Sequence, residues 1–321
     1  MRTFLATAAV GLLAGAAASV RADTYPAKNV RIVVPYATGG SADVLARQIA
    51  AGLQQLWGQG VVVDNRAGAS GNIGSAEVVR APADGYTLLL QNSTMVANLA
   101  VMGKLPYDPV KDLTPIMLLG DTPLALVANP AANIGNVKEL VAAAKARPGA
   151  LSYGSCGIGT PQHFTMELVK EKTGIEAAHA AYKGCSPALT DVLGGQIPLA
   201  VVTANLVVPY AKNGKLRVIG VSSAARYAAL PDVPSLQEQG LAPFDLTNWN
   251  GLMGPARMPP DVVAQIAAAV RKVLADPTVA GSLAKVGVEP HPVSAAALAA
   301  VIAADTDRYA KLVKSANIKA E

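Results

Sequence analysis

The chain has 321 residues, of which 51% are hydrophobic, 4% aromatic and 15% charged, a composition that excludes disorder and leaves room for two domains of ordinary size. Its formal net charge is only +5, and Arg2 and Arg21 of the N-terminal segment supply part of it. Such a mild surplus, on scattered Lys and Arg with few aromatics to stack on bases, excludes a nucleic-acid partner.

Residues 1–22 have the layout of a secretory signal: Arg2 as the basic start, the apolar run "FLATAAVGLLAGAAASV", and Val20-Arg21-Ala22 as a small-x-small cleavage site before Asp23. The run is rich in Ala and Gly rather than Leu, which favours a cleaved signal over a membrane anchor, and it has no Cys for a lipid anchor. Downstream, Pro, Gly or charge interrupts every apolar run within about ten residues, so no membrane span is predicted. The expectation is an exported, periplasmic protein that begins near Asp23.

Strand-like runs then alternate with Ala-rich helical patterns: "VRIVV", a helix over 41–57, "VVVDN", a helix over 71–80, and "YTLLLQN". After "DTPLALVANP" the alternation restarts with a helix over 136–147, "LSYGS", a helix over 161–173, "AHAAY" and a helix over 187–193. It continues through "PLAVVTA", a helix to 213, and "LRVIGVS". This is the pattern of βαβ units and mainly parallel sheets. Residues 260–315 read as helical with too little strand to stand alone. The expected organisation is two α/β lobes, 23–121 with 248–321 and 122–247, joined by chain crossings near 120–124 and 245–251.

Two turns stand out. "VVPYATGGSADVLARQIA" (33–50) runs from a strand through a glycine pair into an amphipathic helix, and "LSYGSCGIGTPQHF" (151–164) repeats the design, with Pro161 at the favoured first helical position. A helix N-terminus offers free N–H groups and a positive dipole end, so each turn is suited to an anion. Ligands of open α/β sheets bind at such strand ends. Between 36 and 43, and between 155 and 163, there is no Arg or Lys, so a carboxylate gripped here would be held without a guanidinium clamp.

"PYATGGSADVLAR", "SYGSCGIGTPQH", "YKGCSPALTDVLGGQ" and "NWNGLMGPARMPPDVV", in that order, resemble the motifs of the Bug/TctC periplasmic solute-binding receptors of tripartite tricarboxylate transporters. The resemblance covers essentially the whole mature chain. It implies a two-lobed Venus-flytrap α/β fold with the ligand cleft between the lobes, and a non-enzymatic, monomeric receptor without cofactor. It further implies that the protein hands a small organic carboxylate, a di- or tricarboxylate or an aromatic acid, to a membrane permease. Carried onto this sequence, the carboxylate loops are 36–43 and 155–160 with His163. The expected ligand-binding residues are Tyr36, Thr38, Gly39, Gly40, Ser41, Asp43, Ser155, Gly159, Thr160 and His163, with Asn92, Ser93 and Thr203 as polar strand tips opening into the cleft. Relatives commonly carry Ser or Ala at Cys156 and Cys185, and an aromatic at Asn250.

Several of these residues have a structural reading as well. Asp43 is suited to fixing its loop, Tyr36 to cleft packing, His163 to an exposed helical position, Lys183 to a solvated charge and Trp249 to packing at the crossing. Rival chemistries leave weaker traces. Gly157-x-Gly159 lacks the third glycine and the distant acid of a dinucleotide site, and neither a phosphate loop nor a G-x-S-x-G elbow is present. His163, His179 and His291 have no metal-site spacing. The alternative from another class is an exported hydrolase with Ser155 or Cys156 as nucleophile and His163 as base. In an exported protein with two cysteines, a Cys156–Cys185 disulfide is the stronger expectation.

Overall fold

The computed structural model describes residues 25–285, 287–315 and 318; the secretory signal expected over 1–22 lies outside them. Among the described residues no helix is long and apolar enough to cross a membrane. The chain opens with β1 (Val30–Val34), α1 (Ser41–Trp57), β2 (Val61–Asn65), α2 (Asn72–Val79), β3 (Thr87–Asn92) and α3 (Thr94–Met102), then enters the long strand β4 (Leu113–Ala128). A second series follows: α4 (Val137–Ala146), β5 (Ser152–Ser155), α5 (Pro161–Thr173), β6 (Ala178–Ala181), α6 (Cys185–Leu193), β7 (Leu199–Thr203), α7 (Ala204–Lys212) and β8 (Arg217–Val221). The chain returns along β9 (Thr247–Pro255) and ends with α8 (Pro260–Leu274), α9 (Pro277–Lys285), β10 (Glu289–Val293) and α10 (Ala295–Ser315).

Local chemistry sets the element ends. Ile32, Val33 and Val34 are fully buried, as befits a parallel strand covered on both faces. α1 stops at Gly58, whose left-handed conformation lets its N–H return to Gln54 O. α5 starts with Thr160 as N-cap and Pro161 in its first turn, and stops at left-handed Gly174.

β1 pairs in parallel with β2 and β3, and β5 with β6 and β7. The antiparallel pairings all involve β4 or β9. The reason is topological: these two strands carry the chain between the halves and back, so they run against their neighbours. β4 pairs with β9 over 113–123, then with β7 over 124–128 and with β8 over 125–128, making one strand common to both halves. The sequence reading saw only crossings here because Pro115, Gly120 and Pro123 look like strand breakers. Pro115 and Gly120 sit at shifts in register, between Pro115 and Met117 and between Leu118 and Gly120, and Pro123 sits at the last position paired with β9, where the strand passes on to β7.

α8 and α9 pack on α1. α10 covers α3 and β4 and also reaches the second series, with Tyr309 against Phe164 at 4.6 Å between ring centroids and Ser315 Oγ donating to Glu171 at 3.0 Å. Trp249, 2% exposed, donates its Nε1–H to Asp305 of α10 at 2.8 Å, so its ring packs at the crossing.

Candidate functional site

The turn between β1 and α1 is held from behind. Asp43 is buried, and its Oδ2 accepts from Gly39 N at 2.9 Å and from Arg47 Nε at 3.0 Å, while Oδ1 accepts from Asn65 Nδ2 at 3.0 Å. Burial opposes the charge on Asp43, but these donors and the Arg47 guanidinium outweigh it and hold the carboxyl below its usual range. The side chain thus fixes the loop, pulling Gly39 into a conformation (φ +86°) that favours glycine. Gly40, the N-cap of α1, makes no side-chain cap, leaving the first-turn N–H groups open. Gly39, Gly40 and Ser41 face the cleft, and Thr38 is exposed at the tip. Tyr36 points the other way, its hydroxyl meeting Gln91 Oε1 and Asn92 Oδ1.

The turn between β5 and α5 is packed more tightly. Ser155 is fully buried, its Oγ 2.7 Å from His179 Nε2 and donating to Gly157 O at 3.1 Å. Thr160 Oγ1 donates to Gly157 O at 2.7 Å, and Gly159 N donates to His163 Nδ1 at 3.3 Å. His163 is buried rather than exposed, because its ring stacks on His179 at 3.9 Å between centroids. Burial lowers its pKa to about 4, helped by Lys170; burial also lowers that of His179 to about 4, with His163 adding to the effect.

Between the two halves lie two compartments. The larger, about 690 Å³, is lined by Gly39, Gly40 and Ser41 at the N-terminus of α1, Gln162 from α5, Cys185, Ser186 and Thr190 from α6, Thr203 and Asn205 at the start of α7, Asn248 from β9 and Lys285 from α9. The smaller, about 390 Å³, is lined by Ser70 and Asn98 from the first half and Gly157, Ile158, Tyr182 and Lys183 from the second. Neither lining includes Asp or Glu, and each has one lysine. α6 and α7, like α1, begin without a side-chain cap. Three open helix N-termini therefore converge on the larger compartment, where dipoles of about half a charge each favour an anion.

Of the expected site residues, Gly39, Gly40, Ser41 and Thr203 line the larger compartment. Ser155, Asn92 and Ser93 are buried behind it: Asn92 Oδ1 accepts from Thr94 N at 3.0 Å, and Ser93 Oγ donates to Asn248 Oδ1 at 2.8 Å. The two turns line different compartments, the second reaching the larger one only through Gln162. Sequence reasoning missed Ser186, Asn248 and Lys285. Ser186 had a signal, since "YKGCSPALTDVL" repeats the strand–glycine–helix design, with Gly184 at φ +116°. Asn248 and Lys285 had none, because only the packing of β9 and α9 brings them there.

Cys156 and Cys185 form a disulfide, as expected, with Cα atoms 4.3 Å apart, and it ties the second turn to the N-terminus of α6. With its sulfur in that bond, Cys156 has no thiol for nucleophilic attack. The Ser155–His179 pair has the spacing of a nucleophile and base, but Ser155 is 0% exposed and lines neither compartment. The double variant C156S/C185S is expected to lose about 3–4 kcal/mol of stability, from a loop of 29 residues' separation in the chain-entropy model. Urea unfolding under non-reducing conditions measures it, and an unchanged midpoint would refute a stabilising role.

Residues 45–318 match the model of the tripartite tricarboxylate transporter family receptor. Protein BugT of Bordetella pertussis is 35% identical over 308 residues, covering 95% of this chain and 94% of that protein. An R. palustris protein solved with adipate is 32% identical at a TM-score of 0.82, covering 92% of this chain and 99% of that one. MatC from Rhodopseudomonas palustris with bound malate is 29% identical at a TM-score of 0.78, over 90% of this chain and 100% of that one. The two-lobed α/β architecture, the cleft between the halves and these similarities agree: the chain belongs to the tripartite tricarboxylate transporter receptor family of solute-binding proteins.

Proposed function

We propose that this receptor captures a small organic carboxylate outside the cytoplasm, as a monomer, and delivers it to a membrane permease of the tripartite type. One observation carries the reading: three uncapped helix N-termini meet at a cleft whose lining has a lysine and no carboxylate. Adipate and malate in the two similar R. palustris structures support the same ligand class. The grip would come from backbone N–H groups at Gly39 to Ser41 and from the hydroxyls of Ser41, Ser186 and Thr203, with Lys285 of the lining supplying long-range attraction.

In this reading residues 23–121 with 248–321 form one lobe and 122–247 the other, and closure is a hinge motion where β4 and β9 cross. α10 limits the motion because it packs on both series. A secretory signal over 1–22 would place the protein in the periplasm.

A thermal-shift screen over aliphatic di- and tricarboxylates and aromatic acids, followed by calorimetry, tests the function. A true ligand at about 100 times its Kd should add about 2.7 kcal/mol of stability. Its methyl ester, having lost the charge, should bind at least tenfold more weakly. An ester that binds like the free acid would show that the helix N-termini hold something other than a carboxylate.

A further inference from the structure

β3, β9 and β4 lie side by side, β9 reaches the larger compartment through Asn248, and the strand floor next to Asn248 contains polar groups with nothing to bond. Asn250 and Thr122 are each 1% exposed, and Asn250 Nδ2, Asn250 Oδ1 and Thr122 Oγ1 have no hydrogen-bond partner. Buried amides and hydroxyls are nearly always paired, because a dry one has given up its bonds to water.

Alternation along β9 fixes which way these groups face. Trp249 bonds to Asp305 of α10, and a Cβ on Gly251 would lie 2.8 Å from Leu298 of the same helix. Asn248 and Asn250 therefore stand on the opposite face. Asn248 lines the compartment, and Thr122 is its register partner on β4. The neighbour of Asn250 on β4 is Gly120, which contributes no side chain to satisfy the amide.

We infer that Asn250 and Thr122 form an uncharged subsite next to Asn248, and that it takes a hydroxyl group of the ligand. This rests on the carboxylate reading above. An alcohol both donates and accepts, which matches an amide whose NH2 and carbonyl oxygen are both free, beside a hydroxyl. A second carboxylate, which only accepts, would leave Asn250 Oδ1 unmatched and bring an unpaired charge to a dry floor. The receptor is thus built for a hydroxy acid in preference to its deoxy counterpart.

Calorimetry on matched pairs decides the matter: succinate against malate, glutarate against 2-hydroxyglutarate, and adipate against 3-hydroxyadipate. The wild type is expected to bind the hydroxylated member of at least one pair about tenfold or more tightly, the range for one added hydrogen bond to a buried group. Asn250→Leu, and the near-isosteric Thr122→Val should the first variant fail to fold, should abolish the preference while keeping the deoxy acid's affinity within about twofold. Equal binding within every pair, or a preference that survives both substitutions, would overturn the subsite and leave the carboxylate reading intact. Failure of every acid to bind would overturn both.

Discussion

Gly40→Val is expected to abolish carboxylate binding while leaving the folded state almost as stable as the wild type. Gly40 sits at φ −75° and ψ 167°, an extended conformation open to any residue, and a Cβ there would meet only Ala37 O at 3.8 Å. The fold therefore has no objection to a side chain at this position. The cleft does, because an isopropyl group would stand over the open N–H groups of the first turn of α1, where an anion must come within about 3 Å. Affinity should fall at least 100-fold, with the thermal midpoint lowered by only about 2–4 °C, since valine for glycine at an N-cap costs about 1 kcal/mol where nothing clashes. Gly39→Val is the contrasting variant: at φ +86° it strains the loop that Asp43 holds, so both stability and binding should drop. Calorimetry together with a melting curve separates the cases, and a Gly40→Val protein that still binds would show that the anion lies elsewhere in the cleft.

Stability is expected to fall steeply as the pH is lowered from about 6.5 to about 4, and the source is the His163–His179 stack. Burial, aided by Lys170, lowers His163 to about 4; burial and then His163 lower His179 to about 4. In the unfolded chain both titrate near 6.5. Between the two values the unfolded state holds more protons than the folded one, so protons drive unfolding; above about pH 6.5 the contribution is complete. A shift of this size corresponds to about 3 kcal/mol for His163 and less for His179, whose ring is partly open to solvent. Two cations stacked face to face would also repel. Urea midpoints measured across this range should drop in step with histidine titration and flatten in His163→Asn, whereas a midpoint constant down to pH 4.5 would exclude the stack as a determinant. Asp43, held below its usual range, adds its own loss only at the acidic end, so the two sources are distinguishable.

The sequence by itself determined whatever depends on neighbours along the chain. Periodicity and caps placed α1 at Ser41–Trp57 and α5 at Pro161–Thr173, because Gly58, Thr160, Pro161 and Gly174 act on the residues beside them. The glycine turn before α1, and the pairing of the two cysteines, were legible for a similar reason: a strand–glycine–helix turn and an even pair of thiols carry their chemistry locally. The tertiary structure alone decided what meets what. Prolines and Gly120 disguised β4 as broken chain, yet it is the strand both halves share, held by its partners β7, β8, β9 and β10 rather than by propensity. No spacing rule could have brought Lys285 or Asn248 to Gly40, or hidden Ser155 and His163 behind the second turn, since those placements follow from how α9, β9 and β6 pack. Local signals said that an anion could be held here. Packing chose which helix termini converge on the larger compartment, which lysine joins its lining, and which amide of β9 was left without a partner.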